Sequence, residues 1–318
     1  MLLGINVRII VHGPESDPFH DSQEVPVDYT ADSLSLLGDE TRLKILSTLH
    51  DASAETRMDF STLYQHVDAE YSSGFNYHLD KLIPRFVTKD DDVYRLTAFG
   101  KRVARAVAAG TFSTNYKFGP IKLDGTCLIC GEEELNASYN GDMFTVECDD
   151  CGEVVIHIQV PPNLAQDRDV DSFIDAVDRW LHQWMQMSIS LVSHGICEHC
   201  GSSVNTSIVD DIQLYDRLDV LVRFKCSHCG EVKRSTIGAV ASQNPKVQQF
   251  YISRGAPIEE HRYWEVEQWI SGRNQEVISR DPWQFRVSFS ADEDLCEVII
   301  NEDLEVVDYT EHSDPIKD

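Results

Sequence analysis

No apolar run in the 318-residue chain approaches the roughly 20 residues needed to cross a bilayer, and Leu2–Val11 is too short. No membrane partner is therefore expected. A secretory leader is not recognisable, which points to a cytoplasmic, reducing setting in which disulfides are not expected. The sequence has no phosphate-binding glycine loop, no HExxH helix and no Gly-x-Ser-x-Gly elbow, so an enzyme is not expected. Lysine is scarce. Only 10 of the 27 basic residues are Lys, against 54 Asp and Glu, and the formal net charge is −27. At about molar salt the Debye length falls to roughly 3 Å, which screens the self-repulsion of such a surface while its carboxylates keep it hydrated. The balance suits a salt-loving host; the alternative is an acidic interaction domain in an ordinary organism.

Cysteine is where the chain is distinctive. Eight of its nine cysteines form four CxxCG knuckles: Cys127 and Cys130 before Gly131, Cys148 and Cys151 before Gly152, Cys197 and Cys200 before Gly201, Cys226 and Cys229 before Gly230. Two thiolates separated by two residues grip one tetrahedral ion from a tight turn, and two such turns complete a four-cysteine site. The 17 and 25 residues between paired knuckles suit short β-hairpins, so two zinc ribbons and two structural Zn²⁺ ions are expected. Disulfides are the rival reading. The glycine is expected to let amides approach the sulfurs without a Cβ clash. His194, His199 and His228 adjoin the knuckles and are expected to be bystanders, while Cys296 alternates with Val298 and Ile300 as a core residue.

Charge divides the chain. Residues 30–118 carry 11 Lys and Arg against 12 Asp and Glu, whereas residues 119–318 carry 15 against 37. Within the first block, residues 71–108 hold Lys81, Arg85, Lys89, Arg95, Lys101, Arg102 and Arg105 against four aspartates. A locally basic segment in an acidic chain suggests a polyanion partner.

Periodicity in this block predicts helices from Thr30, from Asp39, over Phe60–Val67 and over Ser72–Ile83, with Asp39, Asp59 and Thr97 as caps. Phe86–Lys89 and Val93–Leu96 read as a hairpin closed by Asp90–Asp92, followed by a helix to Ala108. Opposite the Phe75, Leu79 and Leu82 stripe lie Ser73, Tyr77 and Asp80, flanked by Asn76 and Lys81. That is the layout of a helix able to enter a major groove.

Leu37–Leu46, the segment Asn76-Tyr77-His78-Leu79-Asp80-Lys81-Leu82, and Tyr94, Leu96, Thr97 and Gly100 resemble ArsR-type winged helix-turn-helix regulators. Combined with zinc ribbons and a lysine-poor surface, the chain is similar to haloarchaeal ArsR-like regulators. The resemblance covers about 80 residues and implies operator DNA contacts by Ser72, Ser73, Asn76, Tyr77, Lys81, Lys89 and Arg95, in a homodimer. The family's metal-sensing positions are not matched: Phe60–Val67 has no Cys and the last helix has no His. His66 and His78 are expected to serve packing or local hydrogen bonds.

The expected class is α+β: a flexible acidic leader over 1–29, a winged helix-turn-helix over 30–110, a first zinc ribbon over 119–162, an amphipathic connector helix over 163–194, a second ribbon over 195–240, and a helix with an antiparallel meander over 241–318. The connector's Phe173, Ile174, Val177, Trp180, Leu181, Trp184 and Leu191 suit either core burial or dimerisation. The meander is expected to begin with a strand at Tyr263–Ile270. Tyr263, Trp264, Trp269, Trp283 and Phe285 either line a ligand pocket or fill a packed sheet face. The expected function is transcription regulation, with a small effector possible. The alternatives are an adaptor of the transcription machinery contacting RNA polymerase, and a redox or zinc sensor acting through the ribbons.

Overall fold

The computed structural model describes residues 27–52, 58–69, 71–112, 116–210, 220–255, 257–266, 272–291 and 293–312. The chain is mixed α+β, with antiparallel sheets throughout. Its described residues fall into two compact units: one of residues 27–116 with 161–166, the other of 117–160 with those from 167 onward. None of the described helices is long and apolar enough to cross a membrane.

The first unit runs α1 (Val27–Ser35), α2 (Glu40–Asp51), α3 (Phe60–Val67), α4 (Ser72–Leu82), β1 (Val87–Asp90), β2 (Val93–Leu96) and α5 (Ala98–Ala108). Helix α1 starts three residues before Thr30, so Val27–Tyr29 belong to it and not to a leader; residues 1–26 lie outside the described residues. Single side chains fix the starts of α2, α3 and α5, whereas α4 begins after Tyr71 with no side-chain cap. Asp39 accepts from Arg42 N at 3.0 Å, Asp59 from Thr62 N at 2.9 Å and Thr97 from Gly100 N at 3.0 Å, each satisfying an amide with no intrahelical partner. Helix α4 ends where Ile83, ahead of Pro84, leaves helical φ and ψ.

Helix α2 is the centre of this unit. Its Ile45, Leu46 and Leu49 pack with Leu63 and Val67 of α3, Phe75, Leu79 and Leu82 of α4, then Phe86, Val87, Tyr94, Leu96 and Ala104. Burying each large apolar side chain contributes about 1.5–3 kcal/mol. The β1–β2 turn is Asp91-Asp92, both at positive φ (44° and 59°). A two-residue hairpin loop favours that geometry, and Asp tolerates it. Helix α5 is pressed onto the strand entrance: a Cβ on Gly100 would lie 2.0 Å from the Phe86 carbonyl oxygen, so only glycine fits.

The second unit opens with an antiparallel sheet of β3 (Lys117–Lys122), β4 (Leu135–Asn140), β5 (Met143–Cys148) and β6 (Val154–Gln159), in that order. The long helix α6 (Val170–Ser193), capped by Asp169, leads to a three-stranded sheet of β7 (Val204–Val209), β8 (Leu221–Cys226) and β9 (Val232–Ser235). Helices α7 (Ile237–Ala241) and α8 (Pro245–Ser253) precede the meander β10 (Gln275–Arg280), β11 (Trp283–Ala291), β12 (Asp294–Asn301) and β13 (Val306–His312).

Helix α6 is a core spine. Phe173 is fully buried among Phe118, Tyr139 and Phe144, with ring centroids 4.9, 5.1 and 6.2 Å away. Ile174, Val177 and Leu181 are buried as well, whereas Trp180 and Trp184 stack on each other 5.1 Å apart and are half-buried. In the meander, Phe285, Val287 and Phe289 of β11 share one buried face with Cys296, Val298 and Ile300 of β12. Cys296 is thus a core residue, and burial pushes its thiol up to about 11.

The expected strand from Tyr263 is not formed. Tyr263–Glu265 is a 3-10 turn, and residues 267–271, with Trp269, lie outside the described residues. Neighbouring Tyr263 and Trp264 are both buried, which a strand packed on one face does not allow. Instead the Tyr263 amide donates to Asp178 of α6 at 2.8 Å and the Trp264 indole donates to the Asp124 carbonyl at 3.4 Å. Phe285 is core, and Trp283 stacks on it at 5.6 Å.

Candidate functional site

Each cysteine quartet sits at the end of a hairpin. Cys148 closes β5 opposite Leu135 and Cys226 closes β8 opposite Val204, so strand register brings the later knuckle beside the earlier one. Cys127, Cys130, Cys148 and Cys151 have their four sulfurs within 4.8 Å of one another, as do Cys197, Cys200, Cys226 and Cys229. Cross-knuckle Sγ–Sγ distances are 3.9 Å (Cys127–Cys151), 3.6 Å (Cys130–Cys148), 3.7 Å (Cys197–Cys229) and 3.5 Å (Cys200–Cys226). A tetrahedral ion with bonds of about 2.3 Å spaces its sulfurs about 3.8 Å apart. A disulfide needs about 2.05 Å. The geometry therefore fits two metal centres and excludes disulfides.

Backbone hydrogen bonds repeat from knuckle to knuckle. The amides of Cys127, Cys148, Cys197 and Cys226 donate to the carbonyls of Glu132, Glu153, Ser202 and Glu231 at 2.9, 3.0, 2.9 and 2.8 Å. The glycine's part differs from the expected one. A Cβ at Gly131, Gly152, Gly201 or Gly230 would meet nothing within 4 Å; what these positions require is φ of 89°, 72°, 75° and 76°. Amides that do point at sulfur come from between the cysteines and from the second one: Ile129 N lies 3.4 Å from Cys127 Sγ, His228 N and Cys229 N 3.4 and 3.5 Å from Cys226 Sγ.

These sulfurs could hold a cation. The Ser202 amide foremost pulls the Cys200 thiol down to about 6, making it a thiolate at neutral pH, the ligating form. In the same quartet Cys229, although the Glu231 amide pulls it down, is held up to about 12 by partial desolvation and by its neighbours Cys226, Cys200 and Cys197. Full ionisation of four adjacent thiolates requires the metal's charge.

The two centres have different surroundings. Beside the first, Arg273 donates to the Ile129 carbonyl at 2.8 Å and Glu265 accepts from Thr126 N at 3.2 Å. In the second, Glu198 is buried against Lys233 at 3.5 Å, and the Lys233 ammonium lies 4.3 Å from the Trp184 ring centroid. Burial lowers the Lys233 pKa. Neither quartet recruits a histidine: His194 bonds the Ser190 carbonyl at 2.7 Å and His199 lies 3.8 Å from both Glu198 and Glu231. Nothing local in the sequence marks Glu198 and Lys233 as partners.

The other candidate site is the outer face of α4. Ser72, Ser73, Asn76, Tyr77 and Lys81 are all exposed on it, Tyr77 by 56%, opposite the buried Phe75, Leu79 and Leu82. The Asn76 amide donates to Asp80 at 2.9 Å, and Lys81 Nζ lies 5.5 Å from the Tyr77 centroid. His78 Nδ1 is 3.3 Å from Asp39, and His66 Nδ1 bonds the Thr62 carbonyl at 2.7 Å. Lys89 and Arg95 lie apart from that face, on the hairpin, each beside an aspartate of its own turn: Asp92 at 2.9 Å and Asp90 at 4.0 Å.

Residues 124–306, more than half of the chain, match the family described as Domain of unknown function (DUF7351). The chain belongs to that family. The DUF7351 span takes in both cysteine quartets, α6 and most of the meander. A second family, Domain of unknown function (DUF7347), matches residues 30–107, which hold α4 and the β1–β2 hairpin. No curated protein and no solved structure matches.

Proposed function

We propose that the chain is a sequence-specific, homodimeric DNA-binding transcription regulator whose first unit is a winged helix-turn-helix similar to ArsR-type regulators. The observation that carries this reading is the division of α4. One side is sealed into the core through Phe75, Leu79 and Leu82, while the other presents Ser73, Asn76 and Tyr77, and Tyr77 is 56% exposed, its ring meeting its helix neighbours His78 and Lys81. Such a helix suits a major groove, with its N-terminal amides toward a phosphate and polar side chains toward base edges. Asn76 must exchange its Asp80 partner for a base to take part. The β1–β2 hairpin between α4 and α5 is the wing. The quartets hold structural zinc: all-sulfur tetrahedral sets suit Zn or iron, and zinc gives a closed, redox-inert site that joins paired knuckles. The acidic second unit suits a cytoplasm of high salt.

The test is the double substitution Asn76→Ala/Tyr77→Ala, titrated against a promoter duplex and a scrambled duplex in high KCl. Sequence preference should be lost, and unchanged affinity and preference would sink the assignment. A second reading draws on the exposed Cys200 and Cys229: oxidation of the second quartet ejects its metal and alters DNA binding, making the ribbons a sensor. DNA affinity indifferent to metal loss excludes it.

A further inference from the structure

In this chain of 54 acidic residues, α5 carries three cations, Lys101, Arg102 and Arg105, and no acid at all. At 100° per residue the three lie within a 100° arc, all exposed, with small Ala98 and Ala108 beside them. The opposite side of the helix is its packing face, where Gly100 and Ala104 are buried. Among the described residues none of the three has a carboxylate in ion-pair distance, in contrast to Lys44 with Glu40, Lys89 with Asp92 and Arg95 with Asp90. The arrangement is locally unfavourable. Lys101 and Arg105 are like charges at i and i+4, an unfavourable pairing that the place of Arg105 in the last turn offsets only in part.

The face is also fixed in direction. Thr97 donates from its hydroxyl to the Arg85 carbonyl at 2.7 Å and from its amide to the Phe86 carbonyl at 2.9 Å; Gly100 rests on that same carbonyl, and Phe99 stacks on Phe86 at 5.1 Å. The start of α5 is therefore clamped to the turn that leaves α4. Lys81 lies in the last turn of α4, and Arg85 lies in the turn whose carbonyl Thr97 holds.

We propose that this α5 face is the main phosphate-contacting surface of the chain, following the DNA backbone beside the groove that α4 enters. The wing is the lesser contact, since its Lys89 and Arg95 are partly neutralised by its own aspartates. This rests on the DNA-binding reading of α4 and adds to it the surface that provides affinity without sequence information. An isologous α5–α5 contact is disfavoured, because it would set three cations of one copy against the same three of the other.

The experiment compares three variants of the full chain: Lys101→Gln/Arg102→Gln/Arg105→Gln, Lys89→Gln/Arg95→Gln, and Asn76→Ala/Tyr77→Ala. Each is titrated on specific and scrambled duplexes over a KCl series, with its mass in solution measured. Glutamine keeps helix propensity close to that of the residues replaced. With about 0.9 lost per phosphate contact, the α5 triple should flatten the slope of log affinity against log salt by about 2–3, equally on both duplexes. The wing pair should flatten it by less than about 1. If the α4 pair loses sequence preference while the α5 triple keeps the wild-type slope, the α5 inference is overturned and the α4 reading stands. A changed oligomeric state with an unchanged slope overturns it too, pointing to an acidic surface of a second copy. If no variant affects DNA binding, both readings fall together.

Discussion

The same substitution, Gly→Ala, should have opposite effects at two positions 26 residues apart. At Gly74, in the first turn of α4, an added Cβ meets nothing within 4 Å. Alanine there removes backbone entropy from the unfolded chain and should stabilise the unit by about 0.5–1 kcal/mol. At Gly100 the Cβ would sit 2.0 Å from the Phe86 oxygen, where ordinary contact starts at 3.4 Å, so α5 must retreat by about 1.4 Å. That retreat breaks the 2.9 and 2.7 Å bonds from Thr97 to Phe86 and Arg85 and loosens the Phe86–Phe99 stack. Two hydrogen bonds at about 0.5–1.5 kcal/mol each, with loosened core packing, give a loss of about 2–4 kcal/mol. Thermal unfolding followed by circular dichroism reads both, at roughly 4–8 °C per kcal/mol for a unit of this size. Gly74→Ala should also weaken DNA binding, since a methyl would stand where the groove approaches α4. A stable Gly100→Ala, or a destabilised Gly74→Ala, refutes the account of how α4 and α5 are held.

Replacing any one knuckle cysteine with Ser should lower the metal content from two ions per chain to one, measured by mass spectrometry under native conditions; two ions retained would exclude the assignment of four sulfurs to each ion. Asp178→Ala leaves the buried Tyr263 amide without its acceptor and should cost about 2–4 kcal/mol in urea unfolding, more than removal of the partly exposed Arg262 that shares the carboxylate. Glu311 titrates below the usual Glu range, through its bond with Tyr309 first and then Arg254. Its folded value being depressed, the stability it contributes is complete above the ordinary Glu value of 4.5 and lost as pH falls below it. Arg254→Met should therefore shrink the acid-side loss in Tm between pH 5 and 3, and an unaltered acid limb would exclude that network.

What was legible in the sequence followed from local chemistry. Asp39, Asp59 and Thr97 cap helices because an oxygen acceptor three residues before a free amide needs no distant partner. Four CxxCG turns were enough to anticipate sulfur quartets, since the turn itself sets the ligand spacing. The alternation of Cys296, Val298 and Ile300 marked their strand. Less legible were features that depend on distant residues. Nothing near Tyr263 indicates that Asp178, on another element, takes its amide and bends the segment into a turn. Gly100 looks like any helical glycine until Phe86 is packed beneath it. Glu198 and Lys233 pair only because two knuckles and Trp184 come together. The knuckle glycines differ from expectation for a related reason: spacing suggests crowding where the backbone demands positive φ.

The most direct test of the central claim is selection of the full chain on a random duplex pool in high KCl, alongside Asn76→Ala/Tyr77→Ala. The account predicts an enriched inverted repeat with half-sites about one helical turn apart for the wild type, and loss of that motif for the variant. An unenriched pool, or the same motif recovered by both proteins, would contradict it.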